Sequence, residues 1–163
     1  MTNPLDALAG VANAAAPLPN LLTGGQPSAG HLEALKAAGV TVILDIRDPM
    51  EPRPYDEPAA TRRLGLEYLN IPVTADTLDD PTLERILEVV RANAGRPLLF
   101  HCASGNRVGG ALVPHFILDH GVTEDDAIQA AMRIGLRGAE ILEWGLDYAR
   151  RHQALRGPSR PGQ

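Results

Sequence analysis

The chain has 163 residues, 44% of them apolar and 21% charged, with a formal net charge of −5. That length and balance fit one domain with a real hydrophobic core, and the mild acidity supplies no electrostatic footprint for nucleic acid or an anionic membrane. A single cysteine excludes an internal disulfide and a cysteine-rich zinc site, and it fits a reducing, cytoplasmic compartment.

The opening stretch MTNPLDALAGVANAAAPLPN is Ala-rich and broken by Pro4, Asp6, Asn13 and Pro17. It has neither the basic start nor the clean apolar run of a signal peptide, and no run of about 18 apolar residues marks a membrane helix. Residues 1–19 read as a weakly ordered lead-in, 20–155 as the domain and 156–163 as a flexible tail. SAGHLEALKAAGV predicts a helix with Ser28 as N-cap and Gly39 as its stop. TVILDI predicts a strand buried on both faces. The next twelve residues, RDPMEPRPYDEP, hold four prolines and predict a loop. One or two helical turns follow at AATRRLG, then a strand at LEYLNIPV. TADTLDD is polar loop, with Asp80 and Pro81 suited to the N-cap and first turn of the helix TLERILEVVRANAG. RPLLF predicts another buried strand, delivering His101 and Cys102 at its carboxyl end. Three helices close the chain: NRVGGALVPHFILDHG, kinked at Pro114, then TEDDAIQAAMRIG, capped by Thr123, then GAEILEWGLDYARRH. This alternation predicts an α/β fold, a mainly parallel central sheet with helices on both sides. Ligands of such sheets bind beyond the carboxyl ends of the strands, which is where Cys102 falls.

The segment HCASGNR carries the chemistry. In a strand, tight loop and helix, successive N–H groups face one concavity and the helix adds its positive end. Gly105 permits the turn, and Arg107 grips two oxygens at once. A thiol in that field is favoured as thiolate, a nucleophile suited to attack on phosphorus or sulfur. The alternative reading is a buried, inert cysteine at a strand end. The other histidines, His31, His115, His120 and His152, lack metal-ligand spacing, so neither a metal nor a cofactor is expected.

HCASGNR resembles the signature loop of the cysteine-dependent phosphatases. The order LPNLLTGGQPSAGHLEALKAAGVTVILDIR, GLEYLNIPV, then the Cys loop is similar to the bacterial beta-lactamase-hydrolase-like phosphatase domain over residues 18–118. The resemblance implies a tyrosine or dual-specificity phosphatase-like fold acting on a phosphorylated protein or small molecule. It implies Cys102 as the nucleophile and a cradle of N–H groups from Ala103, Ser104, Gly105, Asn106 and Arg107. Arg107 would hold the phosphoryl oxygens, His101 would support the cysteine, and Gln26 would approach the pocket. A general acid is expected in the VTADTLDD loop; Asp76 matches the family position best, ahead of Asp79 and Asp80. Two departures stand out. Four residues separate Cys102 from Arg107 where the phosphatases usually have five, a length that resembles rhodanese-type sulfurtransferases. Val108 replaces the hydroxyl residue that helps the cysteine leave. A Cys102 persulfide-forming sulfurtransferase and a non-catalytic oxyanion-binding module are therefore the alternative functions. Arg47 and Asp48, at the same sheet edge, read as an exposed charge pair that could instead border the substrate.

Overall fold

In the computed structural model, residues 3–156 are described; the tail expected over 156–163 lies outside them except for Arg156, which ends the last helix. A five-stranded sheet has the order β1-β2-β5-β3-β4. β2 (Leu21–Gly24), β3 (Val42–Asp45), β4 (Glu67–Asn70) and β5 (Leu98–His101) are mutually parallel, while β1 (Ala15–Leu18) runs antiparallel to β2. The register aligns Gly24, Asp45, His101 and Asn70 across the carboxyl edge.

Alternation sends successive side chains to opposite faces. Val42, Leu44, Leu98 and Phe100 enter one core, and Ile43 and Leu99 enter the other. Both faces are covered, so the strands read as unbroken apolar runs. The second core is closed by α1 (Ala29–Ala37), through Leu32 and Leu35, and by α2 (Glu57–Arg63). The first is closed by α3 (Asp80–Ala92), α4 (Asn106–Pro114), α5 (Glu124–Ile134) and α6 (Ala139–Arg156). Each fully buried Leu, Ile or Phe contributes about 1.5–3 kcal/mol of transfer free energy.

Three local readings change. Residues 4–18, expected as a lead-in outside the domain, are part of the fold. Pro4–Leu8 forms a 3-10 turn that buries Leu8, and Ala15–Leu18 adds a strand to β2. The Ala- and Pro-rich composition hid this, because its order comes from pairing with β2 rather than from any local period. β2 was likewise hidden in LPNLLTGG, too short to show a pattern. Asp79, not Asp80, caps α3: its carboxylate accepts from the Thr82 N–H at 2.9 Å, which places Asp80 inside the helix. Ser28 and Thr123 cap α1 and α5 as expected. At Pro114 the expected disturbance takes the form of a π-turn, His115–Asp119, the wider winding that follows when a proline removes a helical donor.

α4 leaves the carboxyl edge of the sheet and is held by α6 at a point where both helices carry glycine. A Cβ on Gly145 would overlap the Gly110 carbonyl oxygen, and that oxygen belongs to a backbone that cannot swing away. Gly145→Ala is expected to push α6 off α4 and destabilise the fold by about 1–3 kcal/mol, read as a lower thermal midpoint.

Candidate active site

The site forms where β5 ends. Cys102 is buried and its thiol is free. Gly105 then turns the chain at φ +95 and serves as the N-cap of α4. Any side chain there would strike the Ile134 carbonyl oxygen as well as being strained. The turn brings the Gly105 N–H to 3.1 Å from Cys102 Sγ, a donor aimed at the sulfur. Among the described residues, the N–H groups of Ala103, Ser104, Asn106 and Arg107 have no protein acceptor. Unpaired donors give the N-terminal end of α4 a positive potential.

The loop is clamped from outside. The Gln26 N–H donates to the Ala103 carbonyl at 3.1 Å, and Asn13 Nδ2 donates to the Ser104 carbonyl at 2.7 Å. Asn106 turns its side chain away from the concavity: Oδ1 accepts the N–H groups of Arg137 and Gly138 at 2.8 and 3.0 Å, tying the α5–α6 connection to the cradle. Val108 is fully buried in the core and has no hydroxyl to offer the sulfur.

Arg107 donates Nη1 and Nη2 to Glu51 at 2.7 and 3.0 Å, and Nη1 also reaches the Val73 carbonyl at 3.2 Å. Its Nε–H has no acceptor among the described residues. Burial works against its charge, but the Glu51 bonds and the Cys102 sulfur outweigh burial and push its pKa up. Glu51 comes from the Pro-rich loop. It also accepts from Arg47 Nε at 3.2 Å, and the Arg107 bond, opposed by partial burial, leads in lowering its pKa to about 2. Arg47 is not the exposed charge it read as. It is buried, and it spans Glu51, Gln26 Oε1 at 2.7 Å and the Pro52 carbonyl at 2.8 Å. The prolines leave few free torsions in this loop, and the two arginines fix the rest.

Asp76 sits exposed on the 3-10 turn Ala75–Thr77, three residues beyond the Val73 carbonyl that Arg107 holds. Its carboxylate has no partner among the described residues. Asp79 is occupied as the α3 cap and Asp80 pairs with Arg151 at 2.7 Å, so neither is free.

Below the cradle lies a cluster the sequence reading did not find: Asp45, Glu57 and His101, all fully buried. Their ligand atoms lie within 4.8 Å of one another, a donor set of metal type. Arg53 Nη1 already bonds both Asp45 and Glu57, so a guanidinium, not a cation vacancy, answers their charge. Tyr68 OH donates to Asp45 at 2.6 Å. The one sequence signal was an aspartate inside the apolar strand VILD; Glu57 and Arg53 lay in a proline-rich loop with no period to read.

The family described as DSP-PTPase phosphatase fused to NAD+ kinase matches residues 13–141. The chain belongs to that family. It is thus a cysteine-dependent phosphatase-like hydrolase of the protein-tyrosine and dual-specificity type. Among solved structures, a DUF442 phosphatase of Shewanella putrefaciens superposes with a TM-score of 0.78 at 19% identity, over 90% of this chain and 97% of that one. Tk-PTP in its active form gives 0.71 at 20% identity, over 85% of this chain and 97% of that one. A cysteine-to-serine variant of P. aeruginosa TpbA in complex with pTyr gives 0.62 at 20%, over 91% and 94%. At these identities the likeness establishes the fold. No curated protein matches the chain.

The Glu51 pairing predicts an acid limit. A carboxyl held at about 2 in the fold against an ordinary 4.5 stabilises the native state fully above 4.5, and that contribution is lost as pH falls from 4.5 towards 2. Glu51→Gln is expected to lower stability at neutral pH and to flatten this part of the stability–pH curve, measured by denaturant unfolding across the range.

Proposed function

We propose that the chain hydrolyses phosphomonoesters through a phosphocysteine on Cys102. The observation that carries the reading is the Gly105 N–H at 3.1 Å from Cys102 Sγ, in a loop whose N–H groups at Ala103, Ser104, Asn106 and Arg107 have no acceptor among the described residues. The thiolate attacks phosphorus. The P–O bond to the leaving group breaks while the cradle N–H groups and the free Nε–H of Arg107 bond the equatorial oxygens, whose charge is greatest in the transition state. Glu51 keeps the guanidinium in place from its other edge. Asp76 gives its proton to the leaving oxygen, then takes one from the water that attacks the phosphocysteine. Inorganic phosphate and the thiolate are released. The free carboxylate of Asp76 supports this role over Asp79 and Asp80. Ala103, Ser104, Gly105 and Asn106 contribute backbone donors, and the Asn106 side chain is left to its bracing role.

The pTyr complex of TpbA supports a phosphorylated protein or small molecule as substrate. The acidic surroundings of the mouth, with Asp48, Glu51 and Asp76, favour a monoester over a polyanion. The proposal includes a bacterial, cytoplasmic setting, supported by the single free thiol. No described helix is long and apolar enough to cross a membrane.

Cys102→Ser is expected to abolish release of phosphate from an aryl phosphate, and Asp76→Asn to slow alkyl phosphates by about 10²–10⁴-fold while sparing good leaving groups. Intact mass after mixing with substrate tests the intermediate: a gain of one phosphoryl group on Cys102 supports the reading. A gain of one sulfur from thiosulfate, with no phosphoryl adduct, replaces it with sulfur transfer. Arg107→Lys is expected to lose at least about 100-fold in kcat/KM, because an ammonium cannot serve Glu51 and an oxyanion together.

A further inference from the structure

Two contacts at the cradle belong to the two ends of one peptide unit. The Gly105 N–H lies 3.1 Å from Cys102 Sγ, and the Ser104 carbonyl oxygen accepts from Asn13 Nδ2 at 2.7 Å. A planar trans peptide points its N–H and its C=O in opposite directions. The Asn13 amide, outside the loop, therefore fixes where the Gly105 N–H points inside it. The preceding peptide is held the same way by backbone, since the Gln26 N–H donates to the Ala103 carbonyl at 3.1 Å. The Ser104–Gly105 unit has no such backbone support. Among the described residues, Asn13 is the one donor to the Ser104 carbonyl.

Gly105 is also where this unit turns over most readily. Reversal changes ψ of Ser104 and φ of Gly105 by about half a turn, and glycine populates both signs of φ. From its present φ of +95, Gly105 would pass to a negative value. No other residue can stand there to prevent it, because an added Cβ would strike the Ile134 carbonyl oxygen. In the reversed unit the Ser104 carbonyl oxygen, and not the Gly105 N–H, faces the sulfur and any bound oxyanion.

Asn13 lies in the stretch whose composition reads as a lead-in, yet its backbone is set for this contact. It sits at φ +55 just ahead of β1, a left-handed conformation that asparagine takes more readily than most side chains. The Ala12 carbonyl before it accepts the Gly25 N–H at 2.9 Å, which ties the turn to the sheet edge beside the loop. The amide nitrogen, and not the amide oxygen, must face Ser104, because two carbonyl oxygens have no proton to share.

We propose that Asn13 is a positioning residue that selects the donor-inward orientation of the Ser104–Gly105 peptide and so makes the loop a binder of oxyanions. The proposal rests on the reading of the loop as an anion cradle, but its test needs no turnover.

Two substitutions separate aiming from folding. Asn13→Gly keeps the left-handed turn without steric cost and removes the amide donor. Asn13→Asp keeps the size and the turn, but its carboxylate only accepts. It repels the Ser104 carbonyl and attracts the Gly105 N–H of the reversed peptide. Tungstate binding, read by titration calorimetry at neutral pH, is expected to weaken about three- to tenfold in Asn13→Gly and further in Asn13→Asp. In crystals of Asn13→Asp grown without an oxyanion, the Ser104 carbonyl is expected to face Cys102 Sγ. Wild-type affinity in both variants, or a Ser104–Gly105 peptide that keeps its wild-type orientation in Asn13→Asp, overturns the proposal. A merely structural role gives neither a reversed peptide nor a loss in Asn13→Gly, whose turn is unstrained. If Asn13→Asp does not fold, Asn13→Gly decides: weaker tungstate binding supports the proposal, and unchanged binding overturns it. A wild type that binds tungstate without hydrolysing phosphomonoesters would leave this inference standing and remove the catalytic reading alone.

Discussion

Two carboxylates with no solvent exposure, Asp45 and Glu57, sit directly under the cradle, and the arrangement around them is a solution to that burial. An unpaired buried carboxylate costs several kcal/mol, so each must have a cation and each remaining lone pair a donor. Arg53 from the Pro-rich loop bonds both acids. His101 from β5, Gln26 from the turn after β2 and Tyr68 from β4 complete the set. The cluster thus joins three strand ends, α2 and the long loop. Such pairs add little net stability compared with a well-packed apolar core, but removing one partner strands a charge. Their value here is geometric, because they fix the strand end from which Cys102 departs.

A second layer of charge sits above. Arg47 and Arg107 share Glu51, and Arg47 reaches Gln26, which also serves Glu57. The upper ion pairs and the buried cluster are therefore one hydrogen-bonded body. The cradle is pressed into it from the other side by the Ile134 carbonyl against Gly105, the Asn13 side chain on the Ser104 carbonyl, and the Asn106 side chain on the N–H groups of the α5–α6 connection. Helix α4 is held in turn by α6, which approaches it closely at Gly110 and Gly145.

Much of this is legible in the sequence alone. Strongly periodic helices such as α3 and α5, and the apolar strands β3 and β5, follow from local pattern. The loop from Cys102 to Arg107 was legible because its chemistry needs those residue types at that spacing. Glu51, Glu57 and Arg53 were not. They lie among prolines, where composition signals only a loop; Glu51 and Glu57 matter through partners 31 to 56 residues away in sequence, and Arg53 through two acids whose burial no local pattern shows. Arg47 misled for the same reason, since a charged residue after a strand is exposed unless something distant meets it. β1 was missed because an edge strand of alanine and proline is ordered by its neighbour and not by its own propensity.

The sequence by itself determined the α/β layering, the strand that carries Cys102 and the glycine-turned loop that opens a helix after it. All three depend on short-range patterns: alternation, helical period, glycine and arginine spacing. Only the tertiary structure decided which acids are free and which are bound. It left Asp76 unpaired, gave Asp79 to a helix cap and Asp80 to Arg151, set Glu51 on Arg107 and buried Glu57 against His101. Charge pairing acts through space, and the separation along the chain of the two partners carries no trace of it.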